Sequence, residues 1–276
     1  MKRIDLHVHT IYSDGTYTPE EVVRRAKDLD LVAISITDHD SVNGVEEAIR
    51  IGKRLGVEVV PGVEMSTDLE NDEIHILGYY LDWKDEAFLS KLRESQEARA
   101  RRNRKLVRKL GDLGMKLDYN EVKKLNPRGV ISRLHIARLM VKSGYVLSIG
   151  AAFEEWLNPG KPAYVRRLKV SPFQIIQLIS GLQGIPVLAH PHLSKSDDLI
   201  PELVKAGLKG IEVYHTEHNG RVVEHYKRVA QKHHLLITGG SDCHGEAKDE
   251  VLMGKMRVPA FLLGELKKVR DNPGRS

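Results

Sequence analysis

The sequence predicts an α/β fold, a barrel or an open, mostly parallel sheet, interrupted by a helical insertion. Three observations predict it. A strand, loop and helix rhythm repeats on both sides of residues 84–168. Strand cores such as "VAIS" and "PVLA" are continuous apolar runs rather than alternating ones, so both faces are covered, as helices cover a parallel sheet. Between 84 and 168 the rhythm gives way to long helical patterns and a Pro/Gly-rich return. Seven strands can be counted. That is one short of the usual eight-stranded barrel, so a closed sheet would be distorted.

The first strand, "RIDLHVH", leads into the helix "TPEEVVRRAKDLD", where Thr18 is the N-cap, Pro19 fits the first helical position and Glu21 completes a capping box. "LVAISITDHD" is the second strand, and "GVEEAIRIGKRLG" a helix stopped by Gly56. "VEVVPGVEMS" and "EIHILGYYLD" are two more strands, joined by the polar turn "DLENDE". "DEAFLSKLRESQEARARRNRKLVRKLGDLG" reads as one long helix, with Asp85 as N-cap and Gly111 or Gly114 near its end. Helical pieces follow in "SRLHIARLMVKSG" and "GAAFEEWLN", and "NPGKPAYV" leads back. Residues 84–168 are thus expected to form an inserted basic helical cap on a body made of 1–83 and 169–276. The rhythm resumes with "SPFQIIQLISGLQG", a helix opened by Ser171 and Pro172, then "IPVLAHPH", "LIPELVKAG", "KGIEVYHTEH", "GRVVEHYKRVAQKHH" and "LLITGGSDCHG".

Composition narrows the class. The chain has 276 residues, 41% hydrophobic and 29% charged, with no low-complexity tract. No apolar run approaches the roughly 18 residues of a membrane span, and no signal peptide is evident. With Cys243 the only cysteine, no intrachain disulfide can form, and a cytoplasmic location is expected. Net charge is +5, but residues 84–168 carry 20 Lys and Arg against 9 Asp and Glu. A basic segment on an acidic body suits an anionic substrate approaching a cationic rim. No heptad pattern or exposed apolar helix points to a protein partner.

Nearly every strand ends in a metal-ligand residue type. Strand one offers His7 and His9, with Asp14 in the loop after it; strand two His39; strand three Glu64; strand four His75. Strand five offers His190, strand six His215 and His218, and strand seven Asp242 and His244. In parallel α/β folds the carboxyl edge of the strands holds the chemistry. Alternation in "HVH" and "DCH" points each pair of donors the same way and turns Cys243 aside into packing. Such a cluster is costly unless cations supply positive charge. Mixed nitrogen and oxygen donors without thiolate suit Zn, Mn or Fe(II). The set is too large for one ion, so two or three divalent ions are expected, with Glu64 as a bridge.

The stretches "DLHVHTIYSDG", "TDHD", "PGVE", "IHILGY", "AHP" and "SDCHG", in that order, resemble the polymerase and histidinol phosphatase (PHP) superfamily of metal-dependent phosphoesterases. Within it the chain most resembles the bacterial 3′,5′-nucleoside bisphosphate phosphatase and exoribonuclease AM branch. The inserted "SRLHIARLMVKSGYV" and "GKPAYV" carry that likeness. The resemblance implies a distorted (β/α)7 barrel with three metals. His7, His9, Glu64 and Asp242 would bind the first. Glu64, His75 and His190 would bind the second, and Asp14, His39 and His244 the third. The likeness departs at Leu134, where proline would be expected.

It further implies hydrolysis of 3′,5′-bisphosphonucleotides, with release of the 3′-phosphate, and of short 5′-phosphorylated RNA. The nucleophile would be a hydroxide held between cations at the His7, His9, Glu64 and Asp242 site. Ser132, Arg133 and His135 would receive a phosphate, Arg133 through its planar fork. Lys161, Arg166 and Arg167 are candidates for a second phosphate. His218, with His215 and His192, bounds the rim where a proton donor to the leaving group would be useful. The run "RARRNRKLVRK" has no interleaved aromatic residue, so it offers an RNA backbone charge but no base stacking. Rival expectations are a histidinol-phosphate-type phosphatase and a non-catalytic nucleic-acid-binding module.

Overall fold

The computed structural model describes residues 2–69, 72–166, 170–195, 197–248 and 250–272. Strands β1 (Arg3–Val8), β2 (Leu31–Ile36) and β3 (Glu58–Leu69) run parallel and side by side. β4 (Asp72–Tyr79) turns back antiparallel on β3, and β5 (Ile185–Leu188) is antiparallel to β4. β6 (Gly210–Tyr214) and β7 (Leu236–Gly239) then add in parallel. An eighth strand, β8 (Val258–Pro259), pairs antiparallel with the outer edge of β1. It adds to the seven expected, and two residues are too few to leave a hydrophobic pattern.

The reversal of β4 corrects the expectation that every donor lies at a carboxyl end. β4 meets the functional edge with its amino-terminal half, so His75 pairs with Ser66, just beyond Glu64. The side chain still reaches the rim because the strand enters from that side.

The sheet curls until β7 meets β1. Past β7, Ser241 N–H donates to Asp5 Oδ1 at 2.8 Å, and His9 N–H donates to the Cys243 carbonyl at 2.9 Å. The approach demands glycine: a Cβ on Gly240 would lie 2.4 Å from the His7 backbone nitrogen. Across the interior, Tyr79 Oη donates to the Leu6 carbonyl at 2.8 Å, linking β4 to β1. Cys243 is buried among Val8, Val22 and Ile36, a packing residue as expected.

Local chemistry sets the helices. In α1 (Pro19–Asp28) the capping box is complete, Thr18 accepting from Glu21 N–H and Glu21 from Thr18 N–H. α2 (Val45–Leu55) ends at Gly56, whose φ of 73° is the left-handed value glycine adopts without a Cβ clash. α3 (Glu86–Asp112) starts where Asp85 accepts from Phe88 N–H. Its 27 residues span about 40 Å. One end packs Phe88 and Leu92 with Ile76 and Ile179 of the barrel. The other packs Leu106 and Leu110 with α4 (Tyr119–Leu125) and α5 (Arg133–Lys142) through Val122, Ile136 and Met140.

α6 (Ile149–Ala152) runs into a π-helical turn, Phe153–Leu157. α7 (Pro172–Gly181) begins at Pro172, but the Ser171 side chain makes no capping hydrogen bond. α8 (Pro191–Ser194), α9 (Ile200–Lys205), α10 (Gly220–Lys232) and α11 (Phe261–Asp271) complete the chain. The seven residues of α4 are too few for a periodic signature, which is why sequence reading passed over them. Among the described residues no helix is long and apolar enough to cross a membrane.

Candidate metal centre

At the edge where the parallel strands end, six imidazoles and three carboxylates meet. They are His7, His9, His39, His75, His190 and His244 with Asp14, Glu64 and Asp242. Glu64 lies at the centre, fully buried. Its Oε2 faces His7 Nε2 at 3.3 Å, His9 Nε2 at 3.2 Å and His39 Nδ1 at 3.0 Å. Its Oε1 faces His75 Nδ1 at 2.7 Å and His190 Nε2 at 3.0 Å. The two oxygens of one carboxylate thus address two separate groups of nitrogens. Asp242 Oδ1 is 3.0 Å from His9 Nε2 and 3.5 Å from His7 Nε2. Asp14 Oδ1 is 3.2 Å from His244 Nε2, and its Oδ2 is 3.8 Å from His39 Nε2.

Hydrogen bonds behind the rings decide which nitrogens face inward. His7 Nδ1–H donates to Glu212 at 3.0 Å, leaving the Nε2 lone pair toward Glu64 and Asp242. Ser13 Oγ donates its proton to Asp38 at 2.6 Å, so His9 Nδ1 donates to Ser13 and its Nε2 likewise faces the centre. His244 Nδ1–H donates to the Asp242 carbonyl at 2.8 Å. Backbone geometry is stressed at the same rim: His190 has φ 27° and Asp242 φ 52°, values that side chains with a Cβ rarely adopt.

These residues fit divalent cations. His7 Nε2, His9 Nε2, His39 Nδ1, Glu64 Oε2, Asp14 Oδ1 and His190 Nδ1 are buried without a hydrogen-bond partner among the described residues. Orphaned polar atoms of that kind are costly, and here most of them converge. Burial pushes the Glu64 carboxyl upward, but His39, His75 and His7 outweigh it and hold it well below the usual carboxylate range. Burial opposes charge on His9 as well, yet the carboxylates of Asp242 and Glu64 beside its ring carry it up to about 10. His75 is driven to about 9 against its burial by Glu64. The carboxylates demand positive charge that only protons or cations can supply. Three groups have ligand atoms within 4.8 Å of one another: His7, His9, Glu64 and Asp242; His39, Glu64 and His75; and His9, Asp14, His39 and His244.

The centre opens into a cavity of about 750 Å³ whose far wall comes from the inserted helices: Ser132, Arg133, Leu134, Ile149 and Phe153. Ser132 caps α5 through Leu134 N–H and lines the cavity. Arg133 lines it too, paired with Glu73 and lying 5.6 Å from the Phe153 ring. His135 does not line it. Its ring is buried, with Nδ1 accepting from Ser132 N–H at 3.0 Å, so it builds the cap that presents its neighbours.

His218 is also turned away, its Nδ1–H donating to the Val213 carbonyl at 2.9 Å. Lys161 and Arg166 are exposed and outside the cavity lining, and Arg167 lies outside the described residues. His215 is buried behind Asp242, 3.7 Å from its Oδ2.

Sequence reading missed several contributors. Glu212 accepts from His7 and from the His190 backbone at 2.9 Å; an acidic residue amid the apolar "GIEVY" was its signal. Lys248 donates to Asp242 Oδ2 at 3.0 Å, and Glu73 faces His75 Nε2 at 3.8 Å as well as Arg133. Within the basic run, Arg99 is 3% exposed, donating to Asp40 at 2.8 Å and Ser66 at 2.6 Å. Arg102, equally buried, donates to the Val165 carbonyl. Two of the seven cations in that run therefore hold the structure together and do not face solvent.

Comparison with known proteins accords with this geometry. A PHP domain model matches residues 5–145. The chain is 34% identical over 251 residues to a 3′,5′-nucleoside bisphosphate phosphatase of Chromobacterium violaceum, covering 88% of each. It is 32% identical to the 5′-3′ exoribonuclease Rnm of Salmonella typhimurium, covering 94% of this chain and 91% of that one. A crystal structure from Bifidobacterium adolescentis, described as a candidate metal-dependent phosphoesterase, superposes with a TM-score of 0.88 at 30% identity over 99% of both chains. Fold and site together define a metal-dependent hydrolase of phosphate esters. The chain belongs to the PHP domain family.

Proposed function

We propose that this enzyme hydrolyses phosphate esters of nucleotides, 3′,5′-bisphosphonucleotides foremost, with release of the 3′-phosphate, and short 5′-phosphorylated RNA as a further substrate. The observation that carries this reading is Glu64 dividing its two oxygens between two groups of imidazoles, on the floor of a cavity walled by Arg133. His7, His9, Glu64 and Asp242 would hold one cation; Glu64, His75 and His190 a second; Asp14, His39 and His244 a third, with His9 and His39 within reach of neighbouring sites. Manganese, zinc and ferrous iron suit those donors. Cations bound there would neutralise phosphoryl charge and make water a usable nucleophile near neutral pH.

The remaining work falls to the chain. Glu212 and Ser13 hold His7 and His9 by their Nδ1 atoms, so both present Nε2. Residues 84–168 act as a cap: Arg99 and Gln96 of α3 grip Asp40, beside His39, and close the wall over the centre. Arg133, at the first turn of α5, offers a planar fork to a phosphate group, and the positive helix end adds to its attraction. Phe153, Leu134 and Ile149 supply an apolar wall for a base or ribose.

The test compares phosphate release from adenosine 3′,5′-bisphosphate, AMP and histidinol phosphate with manganese added. Wild type runs beside Asp242→Ala and Arg133→Ala. The expected result is strong preference for the bisphosphate, abolished in the first variant and weakened in the second. Preference for histidinol phosphate that survives Arg133→Ala would overturn the assignment.

A further inference from the structure

Behind the wall that carries Asp14 lies a second cleft, of about 240 Å³, lined by Tyr12, Arg104, Tyr119, Lys123 and Arg128 among others. The two cavities nearly touch along the chain. Tyr12 lines the cleft and Asp14 the metal cavity, Ala100 the cleft and Arg99 the cavity, Ile131 the cleft and Ser132 the cavity. The α3 helix, which contributes Arg99 to one lining and Ala100 to the other, forms part of the wall between them, and a helix with its side chains is about 10 Å across.

Its cations stand apart from their neighbours. Lys91, Arg101 and Lys124 each pair with a glutamate on their own helix. Arg104, Lys123 and Arg128 are exposed, and among the described residues none has a carboxylate within ion-pair distance. Instead the Arg104 guanidinium lies 5.5 Å from the Tyr119 ring centroid. The basic run of α3 carries no aromatic residue, but the fold brings Tyr119 from α4 and Tyr12 from the loop after β1 to its side. Charge and ring faces together are what single-stranded nucleic acid requires.

The floor is firmly built. Val130 N–H donates to the Tyr12 carbonyl at 3.1 Å, and Asn126 joins the Ser13 carbonyl to Gly129 N–H. A Cβ on Gly129 would lie 2.2 Å from the Ile11 carbonyl oxygen, so only glycine permits this seam.

We propose that this cleft holds a nucleotide of a single-stranded RNA whose terminal nucleotide occupies the metal cavity. Tyr12 and Tyr119 offer ring faces to a base, while Arg104, Lys123 and Arg128 take phosphodiester oxygens. The inference rests on the nucleotide reading above and adds a subsite that a mononucleotide does not use. At roughly 3.4 Å per stacked nucleotide, about three steps span the wall, so a pentaribonucleotide reaches the cleft and adenosine 3′,5′-bisphosphate does not.

The experiment measures KM for both substrates in wild type and in a Lys123→Glu/Arg128→Glu variant, whose changes lie at exposed positions. Binding of a cleavage-resistant 2′-O-methyl phosphorothioate pentamer to the metal-loaded proteins is followed by anisotropy. The expected result is a tenfold or greater rise in KM and Kd for the pentamers, with bisphosphate KM unchanged. The salt dependence of pentamer binding should fall by about 1.4 in log–log slope for two lost phosphate contacts. Tyr119→Leu should weaken pentamer binding five- to tenfold without moving the salt slope. Pentamer values unchanged in the variants would overturn the subsite. So would an equal loss for bisphosphate and pentamer, which would make the cleft a mononucleotide site. If wild type hydrolysed neither substrate, the nucleotide reading would fail, and pentamer anisotropy would still decide the cleft.

Discussion

Glu212→Gln tests whether the buried glutamate on β6 sets the metal affinity of the centre. The carboxylate accepts two donors at once, His7 Nδ1–H at 3.0 Å and His190 N–H at 2.9 Å. A glutamine of the same shape has one acceptor oxygen and must turn its NH2 toward the other donor. One charge-assisted hydrogen bond is lost, worth about 1.5–3 kcal/mol. If that loss falls on the metal-loaded state, it corresponds to about 10- to 100-fold in metal dissociation constant, the range typical for partners of metal-ligating histidines. Calorimetric titration of the metal-stripped protein with manganese or zinc would measure it, with Glu224→Gln on the exposed face of α10 as control. A dissociation constant for Glu212→Gln within twofold of wild type would refute the argument that Glu212 orients His7.

Three further outcomes follow from the same geometry. Arg99→Met leaves Asp40 buried without its guanidinium, a cost of about 3–5 kcal/mol. For a chain of 276 residues that lowers Tm by about 5–9 °C. Adding Asp40→Asn should restore much of the loss, and a double variant no more stable than Arg99→Met alone would contradict the pairing. Gly240→Ala forces a Cβ to 2.4 Å from the His7 backbone nitrogen. It should cost about 1–3 kcal/mol and reduce bound metal, so wild-type melting with full metal content would disprove the closure of β7 on β1. Chelation should lower Tm: one cation at a hundred times its Kd stabilises by about 2.7 kcal/mol, about 5 °C here. A melting temperature indifferent to chelator would show that the cluster is satisfied without cations.

The sequence by itself determined the alternation of strands and helices, because a buried parallel strand needs a continuous apolar run and a helix start needs its cap. "TPEE", ending in Glu21, spelled a capping box that the fold realises. It also singled out residues that the fold brings together at the rim, since His7 and His9, and Asp242 and His244, stand two apart in short motifs that follow apolar strand cores. Only the tertiary structure decided what lies around them. The sequence around Glu212, Arg99 and Lys248 does not say which residue each one meets, and their partners His7, Asp40 and Asp242 are brought to them by strand order and curl. His135 and Arg133 are two residues apart in one motif, yet one ring is spent on the helix cap and the other side chain faces the cavity. Side-chain direction at a helix start depends on what the helix packs against, and that surface exists only once the chain has folded.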